Sequence, residues 1–419
     1  MYLKIKSKIL KTLKSKIKTK SLKNTKSLKN TKKKYNKIKI NSLTNNTPNE
    51  LDFLIKSRSL YLKQNKTANE LKKQPLINPI NSYTPSINLE LVSFKSGERE
   101  LLGDCNTKSA FALKSPLKIL VPQPKNEKIS HKCYYYYTPE AKEFLLTNLS
   151  LNKHINPSLI IPPIQAQSNC WFNALFVTFF ISNKGRKFFH FFRQLMIEGK
   201  QINGRIIPKK LADAFALFNF AIDACLTGNE YSYKLNTNAI IHKIYSAIPS
   251  NYEVSFIDTD EPGNPLVYYN KIINYLNLNI IKLLNIRVAK NNKLSNIIQT
   301  LKEHWREKNN SPHIIALEYS DINENKFKPQ KFSFANANYE LDSAIVRDID
   351  KQHFCALISV ENSEMAYDGY SFSRLTNMAW KSKLNKNYNW QFEGTIDYDN
   401  KPLLWNFLKC YQILYYYRV

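Results

Sequence analysis

The sequence predicts an α+β fold in which a helical N-terminal part packs on a C-terminal antiparallel β-sheet. Apolar residues make up 43% of the 419-residue chain, enough to bury a substantial core. Helix-like stretches dominate residues 131–307. Residues 308–419 carry short runs rich in β-branched and aromatic side chains, separated by polar turns.

The first 49 residues stand apart from that pattern. They hold 16 Lys and no acidic residue, so of the formal net charge of +29 the rest of the chain keeps only +13, from 46 basic and 33 acidic residues. The hexad Ser21–Lys26 (SLKNTK) repeats as Ser27–Lys32, and a segment of this composition cannot bury enough apolar surface to offset its ordering entropy. Residues 1–49 are therefore expected to be a disordered basic tail. It reads either as a solvated low-complexity segment or as an arm for nucleic acid or another polyanion. Lys far outnumbers Arg and Asn is abundant throughout, as in AT-rich genomes, so the Lys surplus elsewhere says little about function. Residues 50–130, punctuated by Pro75, Pro79, Pro85, Pro116, Pro122 and Pro124, read as an N-terminal region or linker.

Within 131–419 each element has a local reason. Thr138-Pro139-Glu140 has a capping residue, Pro at the first helical position and an acid in the first turn, leading into a helix over Ala141–Asn148. Leu159-Ile-Ile-Pro-Pro-Ile approaches in extended form, and a polar turn, Gln165-Ala-Gln-Ser-Asn, follows. Cys170–Ser182 (CWFNALFVTFFIS) is apolar on nearly every side, which fits a helix inside a domain. Further helices are expected over Lys187–Glu198, Lys209–Ala224, Tyr268–Leu276 and Ser295–Glu307. Strands are expected at His313–Tyr319, Lys331–Phe334, Glu340–Val346, His353–Val360 and Met365–Tyr370. The start of the chain lacks the continuous apolar segment of a signal peptide, and no run reaches transmembrane length, so a soluble chain is expected. The six cysteines (Cys105, Cys133, Cys170, Cys225, Cys355, Cys410) form no CxxC or Cys/His cluster at metal-ligand spacing. No metal and no cofactor is implied, and free thiols in a reducing intracellular compartment are expected.

One set of residues suits thiol chemistry. A catalytic thiolate belongs at the start of a buried helix, with an oxyanion donor nearby and an imidazole whose tautomer a third group fixes. Cys170 opens the apolar helix, where the helix dipole favours a thiolate. Gln165, five residues upstream, is placed to reach an oxyanion. His353 begins a strand, and Asp368 lies on the next. With the turn centred between Asn362 and Ser363, Asp368 falls opposite Leu357, on the face of His353 but four residues, roughly 13 Å, from it. Contact between the two then requires a turn nearer Val360–Glu361, or a bulge.

These residues also carry a resemblance. Gln165-Ala-Gln-Ser-Asn-Cys170-Trp-Phe-Asn173-Ala-Leu is similar to the cysteine box of ubiquitin-specific proteases, with Gln165 where that family has an oxyanion Asn. Tyr339-Glu-Leu, Gln352-His353-Phe-Cys-Ala356 and Ala366-Tyr-Asp368-Gly resemble its histidine box, and Pro312–Tyr319 resembles the strand entering its palm. The resemblance covers roughly residues 158–419. It implies a papain-like cysteine peptidase fold over 131–419 that hydrolyses peptide or isopeptide bonds, with Cys170, His353 and Asp368 catalytic, Gln165 at the oxyanion, and ubiquitin or ubiquitin-like conjugates as partners. Two family features are missing. The interval from Cys170 to His353 holds one internal cysteine, Cys225, so it lacks a zinc ribbon, and around Asn264–Asn270 the helix lacks the family's acids, with Asp258, Asp260 and Glu261 just upstream. This loss and the composition bias motivate an alternative, a viral-type maturation peptidase with non-ubiquitin substrates. The basic tail motivates another, a non-enzymatic nucleic-acid or packaging protein. The expected location is intracellular, in host cytoplasm or nucleus, or in a virion if the chain is viral.

Overall fold

The computed structural model describes Cys105, residues 107–123, 131–151, 155–166, 168–228, Ser232, and residues 235–248, 265–276, 282–288, 293–307, 310–320 and 327–419 without Tyr398. The basic tail with its hexad repeat, nearly all of 50–106, and the acids Asp258, Asp260 and Glu261 lie outside the described residues.

In chain order the elements are α1 (Thr107–Phe111), β1 (Lys118–Pro122), β2 (His131–Tyr135), α2 (Pro139–Leu151), α3 (Cys170–Phe180), α4 (Asn183–Phe188), α5 (His190–Glu198), α6 (Lys209–Thr227), α7 (Asn238–Ala247), α8 (Pro265–Tyr275), β3 (Leu283–Arg287), α9 (Leu294–His304), β4 (Ile314–Tyr319), β5 (Lys331–Phe334), β6 (Ala337–Arg347), β7 (Phe354–Val360), β8 (Ser363–Tyr367), β9 (Leu375–Asn377), β10 (Asn389–Trp390), β11 (Trp405–Asn406) and β12 (Gln412–Arg418). The chain is thus mixed α+β, with helices ahead of one large sheet ordered β3-β4-β12-β6-β7-β8-β9 and β5 added alongside β6. The sheet is not purely antiparallel as expected: β3 runs parallel to β4. The intervening chain carries α9, whose Ile297 and Leu301 are buried, and such a crossover is what a parallel pair requires.

Both faces of the sheet are covered, which explains why its strands read as nearly continuous apolar runs. On β12, Ile413, Tyr415 and Tyr417 join the core shared with the helices, while Leu414 and Tyr416 join a second core with α9, Trp380, Trp390 and Trp405. Helix α3 is buried at every position, from Cys170 to Phe180, and packs on β6 and β7. Phe172, Phe179 and Phe180 meet Tyr269 of α8, and Phe179 meets Tyr415 edge-on at 5.2 Å.

The helix expected over Lys187–Glu198 is two helices. Ser182 Oγ accepts the Gly185 N–H and starts α4 early, and the chain breaks at Phe189 before α5. Residues 107–123 pack ahead of the expected boundary at 131: Ala110, Leu117, Ile119 and Val121 join the helical core. The expectation of free thiols is corrected for one pair, since Cys105 is disulfide-bonded to Cys133 of β2. The two lie far apart in sequence, in segments with no zinc-like or CxxC spacing, so the pattern offered no sign of the bond. Among the described residues no helix is long and apolar enough to cross a membrane, and no three His, Cys, Asp or Glu side chains gather as a metal site.

Candidate active site

Cys170 is the first residue of α3, and Asn169 caps it without a side-chain bond to a backbone N–H of the helix. The Asn169 amide instead braces the preceding turn. Its Oδ1 accepts the Ala166 N–H at 3.1 Å and an N–H of the Asn173 amide at 3.3 Å, and its Nδ2 donates to Thr237 Oγ1 at 3.1 Å. Asn173 also donates to the Ile164 carbonyl and accepts from Thr237 at 2.6 Å. Asn169, Asn173 and Thr237 are all buried, so this network fixes the turn before the thiol at low local dielectric.

The extended approach is held from the sheet side. Tyr367 Oη donates to the Pro163 carbonyl at 2.8 Å, Arg374 donates to Pro162 at 2.8 Å, and the Gln165 N–H donates to the Gly369 carbonyl at 2.9 Å. Pro162 and Pro163 have no N–H to give, so these two residues are held through their carbonyls. Gly369 is required by close approach, because a Cβ there would lie 2.7 Å from Gln165 N and 2.9 Å from its Cβ.

His353 immediately precedes β7, and Asp368 immediately follows β8. The β7–β8 turn is the two residues Glu361 and Asn362, with Glu361 at φ +50°. This places Ala356 opposite Tyr367, so the register continues to Cys355 opposite Asp368. The sequence-based pairing of Asp368 with Leu357 is therefore off by two residues, and the pair is one face-repeat closer than expected. His353 Nε2 then lies 2.5 Å from Asp368 Oδ1. An ionised carboxylate only accepts, so Nε2 carries the hydrogen and Nδ1 is left to face the thiol.

Cys170 is 8% exposed, His353 3% and Asp368 fully buried. Burial alone would push the thiol up. Hydrogen bonding and charge from His353, with bonds from the Phe354 backbone and the Gln165 side chain, outweigh it and hold Cys170 below the ordinary thiol range. For His353 burial favours the neutral ring, yet bonds to Asp368 and Cys170 raise it to about 10. The two shifts describe one thiolate–imidazolium pair. The structure thus brings Gln165, Cys170, His353 and Asp368 together.

Several residues at the site were not singled out from the sequence. Asp348 accepts backbone N–H groups from Asp350, Gln352 and His353 at 2.8, 2.7 and 2.5 Å, fixing the chain into β7. A carboxylate capping its own loop is a readable Asx signal, here Asp348-Ile-Asp-Lys-Gln-His353. Tyr370 stacks on the His353 ring at 5.0 Å, and Trp405 meets the same ring edge-on at 6.0 Å. Thr395 donates its hydroxyl to Asp368 Oδ2.

No family model matches the chain, and no curated protein does. Among solved structures it is similar to the SAGA DUB module Ubp8/Sgf11/Sus1/Sgf73 bound to monoubiquitin, at 12% identity and TM-score 0.39, covering 87% of this chain and 96% of that one. It is similar to the same module bound to ubiquitin aldehyde at 10% identity and TM-score 0.38, with the same coverage. It is also similar to an essential yeast splicing factor, at 10% identity and TM-score 0.37, covering 82% of this chain and 79% of that one. Overlays this loose assign neither family nor function.

Proposed function

We propose that this chain is a papain-like thiol hydrolase of peptide or isopeptide bonds, acting on conjugates of ubiquitin or a ubiquitin-like modifier. The observation that carries the chemistry is the buried Cys170–His353–Asp368 arrangement, in which a thiol at a helix start faces an imidazole locked by a carboxylate. The substrate class rests on the resemblance of the cysteine and histidine boxes to those of ubiquitin-specific proteases.

The Cys170 thiolate attacks the scissile carbonyl and forms a tetrahedral oxyanion. The Gln165 amide stabilises it together with the Cys170 N–H, which as the first of a helix has no partner within that helix. His353 passes its Nδ1 proton to the departing amine as the C–N bond breaks, leaving a thioester. Water then attacks the thioester, His353 takes the proton, and Cys170 leaves as the thiolate. Asp368 holds Nε2 throughout and keeps Nδ1 toward sulfur.

The full chain treated with a ubiquitin C-terminal electrophile is expected to gain one covalent adduct on Cys170, and Cys170→Ala none. An unmodified wild-type chain whose Cys170 still alkylates rapidly at neutral pH would remove ubiquitin as substrate and leave the thiol chemistry standing. Equal hydrolysis by wild type and Cys170→Ala would end both.

A further inference from the structure

The Asp368 carboxylate is fully engaged. Oδ1 faces His353 Nε2 and accepts the Tyr370 N–H at 3.2 Å, and Oδ2 accepts the Thr395 hydroxyl. Thr395 is 1% exposed and reaches the site from 27 residues further along the chain. Its backbone is clamped at both ends, the N–H donating to Phe392 at 3.3 Å and the carbonyl accepting from Leu403 at 3.2 Å. The neighbouring Gly394 has φ +84° and lies under the Phe372 ring, where a Cβ would come within 2.6 Å of a ring carbon. The Phe372 N–H donates to the Glu393 carbonyl at 3.1 Å, so the loop after Asp368 and the loop bearing Thr395 are stitched together. The Asp397 carboxylate closes the second loop by accepting from Asp399 and Lys401 at 2.8 Å each. Two loops are thus shaped to bring one hydroxyl to one carboxylate oxygen, and a β-branched threonine holds that direction with few rotamers.

Resting on the reading of Cys170, His353 and Asp368 above, we propose that Thr395 is a positioning residue of this site, whose hydroxyl fixes the Asp368 carboxylate and through it the aim of the His353 ring at Cys170. A carboxylate held at only one oxygen is free to rotate about its Cβ–Cγ bond. The His353 Nε2–H would then lose its in-plane acceptor, and the imidazolium its best partner.

The test uses the full chain, with iodoacetamide alkylation of Cys170 followed across pH and Cys170→Ala as the blank. In wild type the acid limb is expected below the ordinary thiol range. Thr395→Val, which replaces the hydroxyl by a methyl, is expected to move that limb to higher pH, and Thr395→Ser to restore it. With a ubiquitin amide substrate, Thr395→Val should lower kcat about tenfold at unchanged KM. If Thr395→Val does not fold, Gly394→Ala decides, since it presses the loop against Phe372 while leaving the hydroxyl in place; a smaller shift of the same sign is expected. A folded Thr395→Val with the wild-type pH profile, or a Thr395→Ser as displaced as the valine variant, would overturn the proposal, as would an unshifted Gly394→Ala. Alkylation needs no peptide substrate, so it judges Thr395 even if ubiquitin is not cleaved. A wild-type limb at ordinary thiol pH would instead sink the reading of the site itself.

Discussion

Helix α3 and strand β7 lie side by side, and buried charge gathers at both ends of the pair. At one end Cys170 opens the helix and His353 leads into the strand. At the other, α4 follows the helix and Glu361 follows the strand. There Arg186 bonds Glu361 at 3.1 Å and Lys184 bonds Glu340 at 2.7 Å, all with nearly buried side chains. The Lys184 N–H donates to Asp342, and Asn183 donates to the Glu361 carbonyl. Burial and ionisable groups do not tell the two ends apart. The chemistry of the acceptor does: Lys184 and Arg186 meet carboxylates, which are inert partners, whereas His353 meets a carboxylate on one side and a polarisable thiol on the other. The far end is a strut, and the near end has a group that can react.

The contrast can be broken by removing one member from each end. His353→Asn should lower kcat/KM by about 10⁶-fold in a chain that still folds, as loss of the triad histidine does in related chemistry. Glu361→Ala should do the reverse. It leaves Arg186 buried without its carboxylate, and urea denaturation should show about 3–5 kcal/mol less stability, with the alkylation rate of Cys170 unchanged per folded molecule. Loss of alkylation in Glu361→Ala would mean that the two ends are coupled along α3, and the distinction drawn here would fail.

Gly369→Ala sharpens the description of the near end. The added methyl meets Gln165, so the proposed oxyanion donor moves while thiol and imidazole remain; turnover should fall about 10²-fold with alkylation retained. The last test belongs to the far end. Burial, reinforced by the charge of Arg186 and Lys184 and opposed by Glu361 and Asp342, pushes Lys187 down to about 7 from 10.5. Between those values the unfolded chain binds the extra proton, so this group makes stability rise with pH across the window and weakens it as pH falls toward 7. Lys328, also driven to about 7 by burial, adds slope of the same sign. The difference in unfolding free energy between wild type and Lys187→Met, followed from pH 7 to 10, isolates Lys187. A difference flat in pH would show that its proton affinity is ordinary.

Much of the fold was legible where one physical signal dominates. Helix α3 announced itself because an almost wholly apolar eleven-residue run has nowhere to go but inside, and strands β4 to β8 because β-branched and aromatic residues fill both faces of a covered sheet; β3, β9 and β12 of the same sheet were not singled out. Helix α4 was missed because its Lys184, Arg186 and Lys187 are buried against carboxylates from β6 and the β7–β8 turn, which no local pattern reveals. The hairpin β1–β2 was missed because its second strand, HKCYY, is polar at one end and only partly buried. At the site, Gln165, Cys170, His353 and Asp368 could be picked out as residue types in suitable local settings. The distance between His353 and Asp368 could not, because a two-residue change in hairpin register decides it. Thr395 gave no signal, since a threonine in a polar loop looks the same whether or not it meets a carboxylate.

Cys105 and Cys133 are joined, while Cys170, Cys225, Cys355 and Cys410 are thiols. The chain thus makes opposite redox demands: an oxidant keeps the bridge on β2 closed, and a reductant keeps Cys170, the proposed nucleophile, from being consumed. Thiol reagents that protect activity in the test tube exchange with disulfides by the same chemistry. A preparation fully reduced for kinetics is therefore a different covalent species from the bridged one, released at residue 105. Activity and stability measured on this protein should be compared only at a stated thiol–disulfide poise.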